Sequence, residues 1–99
     1  MTRYTLTVPT LTNDGRPLTT VNANVRDALA CRFPGFTVHE GTGYWGGEHA
    51  GHEPVRVYVI DTNHPAAETI VRSIARYVKD VAEQDAVYVT RQPIATFLV

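Results

Sequence analysis

The order in which hydrophobic periodicity changes along the chain restricts its fold more than any other feature. Apolar residues alternate with polar ones over residues 3–8, recur at helical spacing over 21–29, and alternate again over 36–40. Residues 53–60 form a third and stronger alternating segment, a second helical stripe covers 67–81, and 87–90 is again strand-like. A period of two predicts strands and a period of 3.6 predicts helices. The predicted order is strand, helix, strand, strand, helix, strand.

Turn residues and caps mark the ends of these elements. Thr19 or Thr20 is expected to cap the first helix, and Pro34 ends it because proline cannot continue a helix. Pro65 suits the first turn of the second helix, and Pro93 interrupts the last strand. Five glycines between residues 41 and 51 predict a bulged strand end and a flexible hairpin.

This order is that of the ferredoxin-like fold, an α+β two-layer sandwich of βαββαβ connectivity. Right-handed crossovers place both helices on one face of an antiparallel sheet. A length of 99 residues suits a single domain spanning 1–99. The residues expected in the core between sheet and helices are Leu6, Leu29, Val55, Val57, Val59, Ile70 and Ile74.

The alternation also predicts a sheet face that no helix covers. Its expected members are Thr5, Thr7, Thr37, His39, Arg56, Tyr58, Ile60 and Tyr88. A face with tyrosines, an arginine and a histidine suits a ligand or a protein partner, and it equally suits the interface of a homodimer. Within the hairpin, Tyr44 and Trp45 are further binding candidates; the tryptophan either forms an exposed anchor or folds back to cap the core.

Candidate chemistry is sparse. His49 and His52 lie between two glutamates in the hairpin, and imidazole and carboxylate are metal ligands, but a flexible turn does not preorganise them. We therefore expect no metal and no cofactor. Ser73 lies among apolar residues of a helix, and Cys31 is expected to be a buried structural cysteine, so no catalytic residue is assigned. A single cysteine also excludes an intramolecular disulfide.

Composition excludes several function classes. The net charge of −1 gives no electrostatic footprint for nucleic acid, and no apolar run approaches the roughly 18 residues of a membrane helix. The expected location is the cytoplasm. Eight of the nine basic residues are arginines, with Lys79 as the only lysine, a bias typical of GC-rich actinobacterial or phage genes.

Three short motifs carry a resemblance to a known family. They are Arg32-Phe33-Pro34 before a Thr-Val strand, the glycine-rich segment 41–45 ending in Trp45, and Glu53-Pro54 opening the next strand. In this respect the chain resembles a family of small bacterial proteins of unknown function with Arg-Phe-Pro, Gly-x-x-Trp and Glu-Pro elements. That family usually has a serine where this chain has Val55. The resemblance implies the same ferredoxin-like layout and no particular activity.

The sequence thus favours a non-enzymatic interaction domain, of phage or bacterial origin, that binds a partner protein or another copy of itself. The alternative is a small-molecule-binding or enzymatic dimer whose pocket lies on the open sheet face. A metal-dependent module using His49 and His52 is the third reading.

Overall fold

The computed structural model describes residues 1–99 and contains four strands and two helices. In chain order they are β1 (Thr2–Pro9), α1 (Thr19–Arg32), β2 (Thr37–Trp45), β3 (Gly51–Thr62), α2 (Ala67–Val81) and β4 (Val89–Pro93). The strands form one sheet in the order β2-β3-β1-β4, and all three neighbouring pairs are antiparallel. The predicted ferredoxin-like α+β architecture is therefore confirmed.

The first strand sets the two faces of the sheet. Tyr4, Leu6 and Val8 are buried, whereas the residues between them are only partly so. Because successive strand side chains point to opposite faces, the buried set marks the side of the sheet under the helices. Residues paired across neighbouring strands share a face. The face of each residue in β3 and β4 therefore follows from its partner in β1, and the face of each residue in β2 follows from its partner in β3.

A single cluster of 15 buried residues fills the space between the sheet and the two helices. Its members are Tyr4, Leu6, Val8, Leu18, Val21, Val25, Leu29, Phe33, Tyr58, Ile60, Ala67, Val71, Ile74, Val78 and Ala82. Of the predicted core, Leu6, Leu29 and Ile74 belong to it, Ile70 packs against it, and Val55 is buried but lies outside it.

The predicted phase of β3 is wrong. Tyr58 pairs with Leu6 and Ile60 pairs with Tyr4, so both point toward the helices and are 1% and 0% exposed. Val57 and Val59 point the other way and are only half-buried. The larger side chains take the core because hydrophobic stabilisation grows with the apolar area removed from water.

Two predicted helix starts also shift. Leu18, not a threonine, occupies the N-cap of α1, and no side chain caps the helix there. The second helix begins at Ala67, two residues after Pro65, and the backbone N–H of Ala66 donates to His64 Nδ1 at 3.0 Å. Neither helix has the length and apolarity needed to cross a membrane.

Candidate functional site

The side of the sheet away from the helices, which we call the open face, consists mainly of small β-branched side chains. The register places on it Thr5, Thr7, Thr37, His39, Val55, Val57, Val59 and Thr90. Tyr88 continues the register beside Thr7, whose N–H donates to the Tyr88 carbonyl, and its side chain is 70% exposed. His39 and Tyr88 therefore lie on the open face as the sequence predicts.

Arg56 and Tyr58 are not on the open face, contrary to expectation. Their partners in β1 are Val8 and Leu6, which both face the helices. Arg56 lies 3.8 Å from Glu40 on the edge strand. Three of the predicted site residues nevertheless border one groove of about 370 Å³ between α1 and β2, which is lined by Arg26, Val38, His39, Glu40, Arg56 and Tyr58.

The Tyr58 hydroxyl belongs to a buried polar network rather than to a binding surface. It donates to Asn22 Oδ1 at 2.8 Å, while Asn22 Nδ2 donates to the carbonyls of Pro9 and Leu18 at 3.0 Å each. Burial raises the pKa of Tyr58 above 10.0, against the opposing influence of the nearby Arg56. The phenol is neutral at physiological pH and acts as a structural donor.

One end of the open face carries an internally neutralised ion pair. Arg3 Nε and Nη2 donate to the two carboxylate oxygens of Asp61 at 2.8 and 2.9 Å. This bidentate contact lowers the pKa of Asp61, chiefly through the hydrogen bond from Arg3. The centre of the open face, around Val57 and Val59, carries no charged side chain.

The two aromatic residues of the hairpin between β2 and β3, Tyr44 and Trp45, pack against other residues of the same hairpin. Trp45 Nε1 donates to the His49 carbonyl at 2.6 Å, and the indole lies on Gly51 so closely that a Cβ there would come within 2.7 Å of Trp45 Cζ2. The ring is 49% exposed and folds onto the hairpin, not onto the core. Tyr44 packs on His52 at a ring-centroid distance of 5.5 Å and is 79% exposed.

The remaining candidates from the sequence occupy isolated positions. No group of three or more histidine, cysteine or acidic side chains is assembled for a metal, and His49 and His52 remain residues of the hairpin. Cys31 is exposed, which corrects the expectation that it is buried. Two helical positions separate it from the buried Leu29, and a rotation of about 200° turns it outward. Ser73 is exposed on α2.

Sequence reasoning missed a groove of about 550 Å³ between α2 and β4. It is lined by Tyr4, Glu68, Val71, Arg72, Ala75, Arg76, Val87, Val89, Thr90 and Arg91. The signal was present, because Glu68, Arg72 and Arg76 follow one another at intervals of four and therefore form one stripe of α2. Its meaning depended on β4 lying beside that stripe, which the sequence does not show.

Comparison with known proteins supports the fold. No protein-family model matches this chain, and no curated protein matches it in sequence. Among solved structures, a phage SAM lyase in complex with S-methyl-5'-thioadenosine is similar, with a TM-score of 0.63 and 18% identity over 92% of this chain and 79% of the lyase. The apo state of a phage SAM lyase gives a TM-score of 0.65, again with 18% identity, over 92% of this chain and 78% of the lyase.

A variant of CutA1 from Pyrococcus horikoshii OT3 that carries one substitution also has a similar structure. It has a TM-score of 0.64 and 11% identity, and the match covers 99% of this chain and 87% of CutA1. Identities this low show a shared fold alone. The motif-based resemblance to small bacterial proteins and the suggested phage origin both stay predictions.

Proposed function

We propose that this chain is an interaction domain that works by self-association, with the open face of one copy covered by the open face of another. The supporting observation is the pair Val57 and Val59, two valines at the centre of a sheet face that no element of the chain covers. Antiparallel sheets that leave one face to water usually place polar residues there, in alternation with the buried ones. In β3, by contrast, both faces carry apolar side chains: Val57 and Val59 on the open face, and Tyr58 and Ile60 on the helix side.

Charge also favours a second copy as the occupant. Apart from His39 beside Val57, the central side chains of the open face are valines and threonines, and the one arginine at its end, Arg3, is paired with Asp61. Two such faces can meet without like-charge repulsion, and facing sheets pack about 10 Å apart through interdigitating side chains. Two-fold dimers are the commonest oligomers, and their interface is the same patch on both subunits.

The test is the mass in solution of a matched pair of variants, measured by light scattering. Val57→Glu places a charge at the centre of the open face, whereas Val81→Glu makes the same substitution on α2, where the side chain is 53% exposed. We expect a multimeric wild type, a monomeric Val57→Glu variant and a multimeric Val81→Glu variant. A monomeric wild type, or a Val57→Glu variant of unchanged mass that remains folded, would refute the proposal. If the chain is monomeric and a different protein binds its open face, the open face is the binding site for that partner and not a dimer interface.

The second candidate function is small-molecule binding, which the fold shared with a phage SAM lyase bound to S-methyl-5'-thioadenosine supports. His39 and Tyr88 would border such a site at the open face. Calorimetric titration with S-methyl-5'-thioadenosine tests this candidate. His39→Ala and Tyr88→Ala are expected to weaken binding. Arg32→Ala, at the end of α1 on the other side of the sheet, is expected to leave binding unchanged. Absence of binding heat at every concentration, with the wild type folded, rules this candidate out for that ligand.

A further inference from the structure

The groove between α2 and β4 combines an apolar floor with a cationic rim. Tyr4 and Val71 at its base are 7% and 1% exposed, and Ala75, Val87 and Val89 extend the apolar surface. Arg72 and Arg76 approach from α2, and Arg91 approaches from β4. Five of the ten lining residues are hydrophobic, and a concave site that combines apolar walls with convergent polar groups is a usual form of small-ligand site.

The rim has more positive charge than the chain itself balances. Three arginines line the groove, and Glu68 is the only acidic residue among the lining side chains, which leaves an excess of two positive charges. Glu68 is shared between two of them: Arg72 Nε donates to it at 3.4 Å, and Arg91 Nη1 contacts its other oxygen. Arg76 forms no ion pair in the structure. The whole protein carries a net charge of −1, so this excess is local.

The nearby acids do not remove the excess. Asp80 and Asp85 border the adjoining groove of about 390 Å³, where Lys79 accompanies them. Arg76 borders both grooves, so over the two grooves together four basic side chains accompany three carboxylates, and an excess of one positive charge remains. The groove between α2 and β4 therefore keeps a local positive charge, and Arg76 is its arginine without an ion pair.

We propose that this groove binds a small organic anion, namely a phosphate or carboxylate group attached to an apolar body. The guanidinium groups present paired N–H donors that match the geometry of either oxyanion, and the arginines cannot lose their charge at any physiological pH. The apolar body would lie on the floor formed by Val71, Ala75 and Val87. The site lies on the helix side of the sheet, so it is independent of the open face.

The probes are three naphthalene derivatives with the same apolar body: 1-naphthyl phosphate, 1-naphthoate and 1-naphthol. Binding is followed on the full chain by the backbone amide resonances in two-dimensional NMR. We expect one or both anions to shift the amides of residues 75–76 and 87–91, and the uncharged naphthol to shift them far less. The anion that binds more tightly identifies the head group.

Variants separate this site from general attraction of anions. Arg72→Gln/Arg76→Gln is expected to weaken anion binding about tenfold or more, because two charge-assisted contacts are lost. Arg26→Gln/Arg32→Gln removes the same charge from α1 and is expected to leave the affinity within about twofold. Ala75→Leu, which keeps the charge and fills the floor, is expected to weaken binding as well.

Several results would overturn the proposal. Shifts confined to the open face or to the hairpin would place the anion elsewhere. Equal loss of affinity in both arginine pairs would show non-specific attraction, and naphthol binding as tightly as the two anions would show that the arginines have no role.

Discussion

Replacing Tyr58 with phenylalanine tests the buried hydrogen-bond network that holds Tyr58 of β3 on the helix side of the sheet. The substitution keeps the ring in the core and removes only the hydroxyl that donates to Asn22 Oδ1 at 2.8 Å. Asn22 is 2% exposed, so water cannot replace the lost donor. Leaving one buried acceptor unpaired costs about 1–3 kcal/mol. For a chain of this size, each kcal/mol lowers the melting temperature by about 4–8 °C.

Thermal unfolding followed by circular dichroism measures this cost. Tyr44→Phe is the control, because that side chain is 79% exposed, and its effect should remain within about 0.5 kcal/mol. Alkaline pH gives a second check. Burial raises the pKa of folded Tyr58, so the stability that it contributes is fully present below the unfolded value of about 10 and is lost as pH rises through the folded value. If Tyr58→Phe and Tyr44→Phe melt at the same temperature, the network does not stabilise the fold and the reasoning fails.

Ile60→Ala should cost about 2–5 kcal/mol by urea unfolding and Val59→Ala distinctly less, because the first side chain is 0% exposed in the core and the second is on the open face; equal costs would contradict the observed strand phase. Asp61→Asn should lower the melting temperature at pH 7, where the carboxylate is paired with arginine, and the gap to wild type should narrow as pH falls below 3.8 toward the lowered pKa of Asp61; a gap of constant size below pH 3.8 would exclude the ion pair as its cause. Gly51→Ala should displace the only tryptophan and shift its fluorescence to longer wavelength, whereas Gly46→Ala, which has open space around it, should not; identical spectra would contradict the stacked geometry. Purified protein should contain far less than one metal ion per chain, and chelation should leave its melting temperature unchanged, an expectation that stoichiometric metal would overturn.

Hydrophobic periodicity predicted the order of the helices and strands correctly, but it assigned the side chains of β3 to the wrong faces of the sheet. In β1 only one stripe is apolar, so Tyr4 and Leu6 could be assigned to the core from the sequence. In β3 both stripes are apolar, and three valines compete with Tyr58 and Ile60. The larger pair, Tyr58 and Ile60, buries more apolar area, but burial of the Tyr58 hydroxyl also needs a hydrogen-bond partner. Asn22 supplies that partner from 36 residues away in sequence.

The candidate sites follow the same division. His39 is on β2 and Tyr88 lies one residue before β4, and the face of each was predicted correctly. Exposure of Cys31 could have been read from its spacing to Leu29, since two helical steps point to nearly opposite sides. The arginine groove needs contacts between α2 and β4, which only the folded chain brings together.

The central position of β1 has a consequence for how the chain folds during synthesis. Both partners of this strand come late: Thr5 pairs with Val59 and with Thr90, so neither side of β1 can be completed before the second half of the chain exists. Only the β2–β3 hairpin, closed between Trp45 and Gly51, is local. Closing the longer of the two β1 loops costs roughly 0.4 kcal/mol more than closing the shorter one, a small difference, so sequence order rather than entropy delays β4. On the ribosome, one backbone edge of β1 therefore stays unpaired until residue 62 has emerged, and the other until residue 93 has emerged. Unpaired strand edges make the nascent chain prone to aggregation during this interval.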